Sequence, residues 1–172
     1  LSQIKCNNTK RLQKKEIIIF EDFIKRRGAQ EPFQYIINSA PFYNEDFYVN
    51  EAVLIPRPET EIIIEILKKQ HFKEGLDVGT GCGNLAITLR LENIVEKITG
   101  IDISKKAIAI ATKNANIFNL RGIYFKKQNI FKLKSKQKYD LVVSNPPYIS
   151  LKDYRLLPQN IKNYEPKTAL TD

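Results

Sequence analysis

The sequence predicts an α/β fold built on a parallel sheet, and three observations predict it. Short apolar runs alternate with helical runs over the second half of the chain: strand 75–78, helix 84–91, strand 97–102, helix 105–118, strand 123–127 and strand 139–144. Strands alternating with helices imply parallel pairing through right-handed crossovers. Asp77, Gly79, Gly81 and Gly83 form an Asp-x-Gly-x-Gly-x-Gly turn between the first of these strands and its helix. Asn145, Pro146, Pro147 and Tyr148 follow the last strand directly. Both motifs then fall at the carboxyl edge of the sheet, where open α/β sheets bind ligands.

The elements follow in order. Ile17, Phe20, Phe23 and Ile24 recur at helical spacing over 16–27, and Gly28 is a suitable stop. Residues 34–37 and 46–49 are short β-type runs joined by a polar stretch and read as a hairpin. Pro56 and Pro58 break the chain before a helix at 59–69, with Ile62, Ile63, Ile66 and Leu67 on its core side. The Gly-rich turn, the strand ending in Asp102 and the helix capped by Ser104 come next. No internal repeat or low-complexity linker interrupts them.

The motifs carry chemistry. Glycines permit positive φ and let backbone N–H groups approach a ligand closely. The Gly-x-Gly-x-Gly spacing with a leading acid favours S-adenosylmethionine over a pyrophosphate ligand, although dinucleotide enzymes use a related turn. Asp102 lies 25 residues after Asp77, near the distance expected for an acid accepting from ribose hydroxyls; a capping or surface acid is the alternative. Asn145 and the Pro146 carbonyl can both accept hydrogen bonds, and the proline rings stiffen the wall they form. Such a wall beside Tyr148 suits a planar –NH2 group, either an amide or an exocyclic base amine. The plain alternative is a Pro-rich turn leaving a strand.

Composition bounds the rest. A chain of 172 residues can bury a real core. It has no apolar run of about 18 residues, and residues 1–15 lack the apolar core of a signal peptide. Cys6 and Cys82 read as reduced thiols. With one histidine, His71, no metal site and no His-based nucleophilic triad are expected. The net charge of +9 favours steering toward nucleic acid or a ribonucleoprotein-associated partner; the plainer explanation, and the preferred one, is that abundant Lys, Ile and Asn reflect AT-rich coding. The lysines are spread along the chain, and no basic block is interleaved with aromatics, so direct nucleic-acid binding is not required.

Taken together these residues resemble a known family. Residues 77–83 and 145–148 are similar to class I S-adenosylmethionine-dependent methyltransferases that modify planar amino groups. Residues 31–36, Phe47 with Val49, residues 53–61 (Val-Leu-Ile-Pro-Arg-Pro-Glu-Thr-Glu) and residues 164–170 narrow the resemblance to the peptide chain release factor glutamine methyltransferases. It covers 30–172.

The resemblance implies a Rossmann-like class I methyltransferase parallel sheet, here C-terminally incomplete, with a short N-terminal helix and a β-hairpin linker. Residues 1–29 would be the remnant of a helical domain, 30–58 the linker and 59–172 the S-adenosylmethionine-binding domain. It implies methyl transfer to the glutamine amide in the Gly-Gly-Gln motif of release factors. The cofactor would be held by Asp77, Gly79, Thr80, Gly81, Cys82, Gly83, Asp102, Asn129, Ile130 and Asn145. Asn145, Pro146 and Tyr148 would be catalytic. Asn145, Pro146, Pro147, Tyr148 and Arg57 would bind substrate. Position 129 is Asn where many relatives carry Asp, a weaker acceptor for an adenine amine. A monomer in a bacterial cytoplasm, or in an organelle, with no membrane partner is expected. The alternatives are an adenine-specific DNA or RNA methyltransferase, which uses the same Asn-Pro-Pro-Tyr logic on a flipped base, and a non-catalytic S-adenosylmethionine-binding fragment.

Overall fold

The structure, a computed structural model, describes residues 11–133 and 137–171. Helix α1 (Lys14–Gly28) opens on a reciprocal capping box between Gln13 and Glu16 and carries Lys25, Arg26 and Arg27 in its last turn, which suits the helix dipole. None of its residues is buried, so its apolar side stays exposed among the described residues. Arg26 grips Glu31 through Nε at 2.8 Å and fixes the exit from the helix.

The next segment departs from the sequence expectation. Residues 34–37 are not a strand; Phe33–Ile37 is a one-turn helix, α2, ending at Asn38 with φ +53°. Consecutive Tyr35 and Ile36 are both buried, and the Tyr35 hydroxyl donates to the Val53 carbonyl at 2.5 Å. An alternating strand would have sent one of the two side chains to solvent. The hairpin follows, from β1 (Ser39–Phe42) and β2 (Glu45–Tyr48), with Ser39 opposite Tyr48 and Phe42 opposite Glu45. Tyr43 and Asn44 in the turn both have positive φ, the arrangement that matches strand twist in a two-residue hairpin.

A 3-10 turn at Pro58–Glu61 leads into α3 (Ile62–Leu67). The expected core side is corrected in part: Ile63 and Leu67 do pack against the core, but Ile62 and Ile66 do not. Ile64 is fully buried, whereas Ile62 and Ile66 are more than 60% exposed. The 3-10 turn replaces the first α-helical turn expected at 59–61 and shifts the phase of the apolar stripe.

The main sheet is built from β3 (Phe72–Val78), β4 (Val95–Asp102), β5 (Ile123–Lys127) and β6 (Leu141–Ser144), with α4 (Asn84–Leu91) and α5 (Lys105–Ile117) as crossovers. The order is β5-β4-β3-β6 and every pairing is parallel. β3 and β4 begin two or three residues earlier than their apolar runs suggested, and β6 two residues later. Two short helices absent from the sequence reading, α6 (Leu151–Leu156) and α7 (Gln159–Tyr164), end the described chain with a 3-10 turn at Lys167–Ala169. Phe42 and Phe47 of the hairpin join Ile64, Leu85, Leu89, Ile94 and Ile98 in one core. The hairpin is thereby packed onto the core of the main sheet.

Candidate functional site

Register brings the motifs to one edge. Val78 lies opposite both Ile101 and Ser144, and Asp102 lies opposite Lys127. The Gly-rich turn, Asp102, Asn129 and Asn145 therefore all emerge from the aligned carboxyl ends of neighbouring strands.

Gly79, Gly81 and Gly83 have φ of +73°, +56° and +85°, which only glycine adopts without strain. The turn is held from below: Gly79 N and Thr80 N both donate to the Ile101 carbonyl, and Gly81 N donates to Asp102 Oδ2 at 3.1 Å. From above it is open, since a Cβ on Gly79 would meet nothing within 4 Å. Asp102 also takes Ser104 N on Oδ1 at 2.8 Å. Each of its oxygens keeps a lone pair for a ligand hydroxyl.

Asp77 and Thr80 are buried beneath the turn, and the Thr80 hydroxyl donates to Asp77 Oδ2 at 2.6 Å. Burial pushes the Asp77 carboxyl up to about 6, against the opposing pull of its hydrogen bonds. Cys82 is a free, buried thiol pushed up to about 12 by the same desolvation; Cys6 lies outside the described residues. Asn129 caps the 3-10 turn at Ile130–Lys132, with Oδ1 accepting from Phe131 N at 2.9 Å. That bond occupies one lone pair of the oxygen that the resemblance would offer to an adenine amine. Ile130 stands beside it, partly exposed.

Asn145 is half-buried, and its Nδ2 donates to Thr60 Oγ1 at 3.1 Å. Among the described residues its Oδ1 accepts no hydrogen bond, so the acceptor end of the amide is available. Pro146 and Pro147 are exposed, and Tyr148 is 79% exposed. Together Leu54, Arg57, Asn145, Pro146, Tyr148 and Ile161 line much of a cavity of about 210 Å³. Arg57 Nη2 holds Glu165 Oε1 and Oε2 at 2.7 and 2.8 Å. Ile149 N donates to the Leu170 carbonyl at 3.0 Å and closes the end of the chain over the Asn-Pro-Pro-Tyr segment.

Three separated stretches, 54–57, 145–149 and 157–170, thus build one pocket. Thr60 and Glu165 stood in the sequence with no role, and contacts across 85 and 108 residues give them one. His71 is remote from the pocket, between α3 and β3, and bonds Glu96 and the Asn93 carbonyl. Among the described residues no cluster of His, Cys, Asp or Glu could hold a metal ion, and no helix is long and apolar enough to cross a membrane.

The profile of the family called Methyltransferase small domain matches residues 58–161. The chain belongs to this methyltransferase family. The matched span begins at the 3-10 turn bearing Thr60 and takes in both the Gly-rich turn and Asn145. The narrower resemblance is also borne out. The chain is 41% identical over 159 residues to the Release factor glutamine methyltransferase of Fusobacterium nucleatum, covering 90% of this chain and 45% of the relative. It is 42% identical over 142 residues to the protein of that name from Enterococcus faecalis, covering 81% and 51%. The chain therefore spans about half the length of these curated relatives. Among solved structures, a tRNA methyltransferase of M. jannaschii superposes with a TM-score of 0.54 at 22% identity, covering 64% of this chain and 35% of that one. At that identity the likeness concerns the fold, an open α/β sheet of the methyltransferase kind.

Proposed function

We propose that this chain carries the donor and acceptor sites of an S-adenosylmethionine-dependent methyltransferase acting on the glutamine side-chain amide of the Gly-Gly-Gln motif in peptide chain release factors. The observation that carries the reading is the Asn145 amide. Its nitrogen is anchored on Thr60 and its oxygen is unengaged, in a pocket shared with Arg57, Pro146 and Tyr148. The names of the relatives point to the same acceptor.

The residues fit the donor. The open space over Gly79 admits a ligand close to the backbone, and Asp102 has oxygen lone pairs for ribose hydroxyls. Gly81, Gly83, Asn129 and Ile130 border the same edge. S-adenosylmethionine, when bound, supplies an electrophilic methyl group on a sulfonium.

The chain's own residues orient the acceptor. Asn145 Oδ1 and the Pro146 carbonyl accept the two N–H groups of the glutamine amide, and Tyr148 packs on its plane. An amide nitrogen is a weak nucleophile because its lone pair is delocalised. Among the described residues the cavity lining includes no carboxylate and no imidazole, so catalysis rests on orientation and on the two acceptors, and the proton that the nitrogen loses on taking the methyl passes to water at the exposed Tyr148 side. Well-aligned orientation lowers barriers by up to roughly 7–11 kcal/mol, and acceptors aimed at hydrogens that become more positive add electrostatic stabilisation. Arg57 is fixed by Glu165 as part of the wall.

The test is methyl transfer from labelled S-adenosylmethionine to a release factor, with DNA as a competing acceptor. Incorporation at the Gly-Gly-Gln glutamine is expected, with Asn145→Ala lowering kcat/KM about 10²–10³-fold. Transfer to DNA alone, or wild-type turnover by Asn145→Ala, sinks this reading.

A further inference from the structure

Asn114 lies in α5 and is fully buried. A buried amide has to satisfy its polar atoms within the protein, and this one does so on two different elements. Its Oδ1 accepts from Tyr48 N at 2.9 Å. Its Nδ2 donates to the Tyr48 carbonyl at 3.0 Å and to the Cys82 carbonyl at 2.8 Å. Tyr48 ends β2, and the amide stands where a neighbouring strand would pair with it. Cys82 sits inside the Gly-rich turn. Lys113 Nζ holds the same end of the hairpin from outside, 3.0 Å from the centre of the Tyr48 ring.

The turn is also packed closely against α5 at Gly83. A Cβ on Gly83 would lie 3.2 Å from Ala111 of α5 and 3.1 Å from both Ile87 and Phe125. Beyond Tyr48, buried Val49, Val53 and Ile55 share one apolar cluster with Cys82, Ala107 and Ile110. That run leads directly to Arg57 and Thr60. One side chain therefore ties the donor turn to the segment that carries the acceptor wall, across 66 residues to Tyr48 and 32 to Cys82.

We infer that Asn114 is a positioning residue that sets the Gly-rich turn against the hairpin and couples the two halves of the site. The inference rests on the donor-binding reading above. Asn114 touches neither ligand, and its effect passes through Cys82 and Tyr48.

Two variants test it. Asn114→Asp keeps the acceptor for Tyr48 N and sets an oxygen against two carbonyls. Asn114→Leu keeps the volume and loses all three bonds. Hydrogen exchange on the ligand-free chain is the first readout. The amides of Gly81, Cys82 and Gly83 are expected to exchange roughly tenfold faster in either folded variant, and that of Tyr48 in Asn114→Leu, with those of β3 and β4 unchanged. Unchanged exchange at the turn overturns the inference, as does an acceleration shared equally by β3 and β4, which is the mark of general destabilisation. Loss of folding in both variants also overturns it, because Asn114 is then a determinant of the fold.

Calorimetric titration with S-adenosylhomocysteine is the second readout, with Asp102→Ala as the control. The variants are expected to bind about tenfold more weakly. Wild-type binding lost in Asp102→Ala but unchanged in both Asn114 variants overturns the inference alone. A wild-type chain that binds nothing overturns the donor reading, and hydrogen exchange then decides whether Asn114 positions the turn.

Discussion

At the scale of the residue, the carboxylate of Glu165 sets the sharpest energetic demand. Its side chain is 2% exposed, and it is met by Arg57 Nη2 and, at 3.4 Å, by Ile55 N. Removing one member of such a pair leaves an uncompensated charge in a site water cannot reach. Arg57→Ala is therefore expected to destabilise the chain by about 3 kcal/mol, and Arg57→Ala combined with Glu165→Gln to recover most of that loss. Urea denaturation of the four proteins in a double-mutant cycle measures the coupling; strictly additive effects would show that the pair contributes nothing as a pair. This contact also explains what was legible residue by residue. Asn145, Asp102 and the glycines announce themselves because their chemistry is local to a strand end. Thr60, Glu165 and Asn114 act through partners 85, 108 and 66 residues away, and no spacing rule links an ordinary Thr, Glu or Asn to such a partner.

At the scale of the element, β4 is held at its closest approach by Gly100. A Cβ there would stand 2.6 Å from two atoms of the Phe125 ring and 2.7 Å from Thr80 Oγ1. Neither neighbour is free to move: Phe125 also fills the space beside Gly83, and Thr80 is bonded to Asp77. Gly100→Ala should cost about 1–3 kcal/mol by overpacking, a fall in Tm of roughly 2–12 °C for a chain of this size. Phe125→Leu in the same chain should recover part of it, as thermal melts by circular dichroism would reveal; an unchanged melt for Gly100→Ala would mean that β5 yields without cost. The element pattern was readable wherever one rule sufficed. Continuous apolar runs gave β3, β4 and β5, and Ser104 marked the start of α5, where its Oγ accepts from Ala107 N. The reading failed at Phe33–Ile37, where β-type composition yielded to burial of two adjacent side chains. It failed again at the 3-10 turn before α3, which moved Ile64 inward and Ile62 outward.

At the scale of the whole molecule, the response of stability to pH is set by groups pulling in opposite directions. Backbone N–H groups of Lys73 and Glu74 hold Asp140 below its ordinary value, and Lys68 with Tyr43 does the same for Glu65. Their contributions are present above the ordinary carboxylate range and are lost as pH falls through the folded values. His71, raised by Glu96, contributes below its ordinary value and loses that contribution as pH rises through its folded one. Asp77 runs against the other acids. Desolvation raises it from 3.8 to about 6, so the folded chain holds its proton more tightly than the unfolded chain does. Its contribution is greatest below about 4, falls as pH rises to about 6 and is level above that, a span worth about 3 kcal/mol. Asp77→Asn cannot titrate there. The stability of wild type minus that of Asp77→Asn should therefore fall between pH 4 and 7 by an amount of that order, measured by urea denaturation at each pH. Asp140, Glu65 and His71 are common to both proteins and cancel in the difference. A difference that stays flat over this range would mean that Asp77 keeps its ordinary value, and that the Thr80 hydroxyl and the nearby backbone solvate its charge as well as water does. A falling difference would mean that at neutral pH the Gly-rich turn rests on a buried, ionised carboxylate whose cost the rest of the fold offsets.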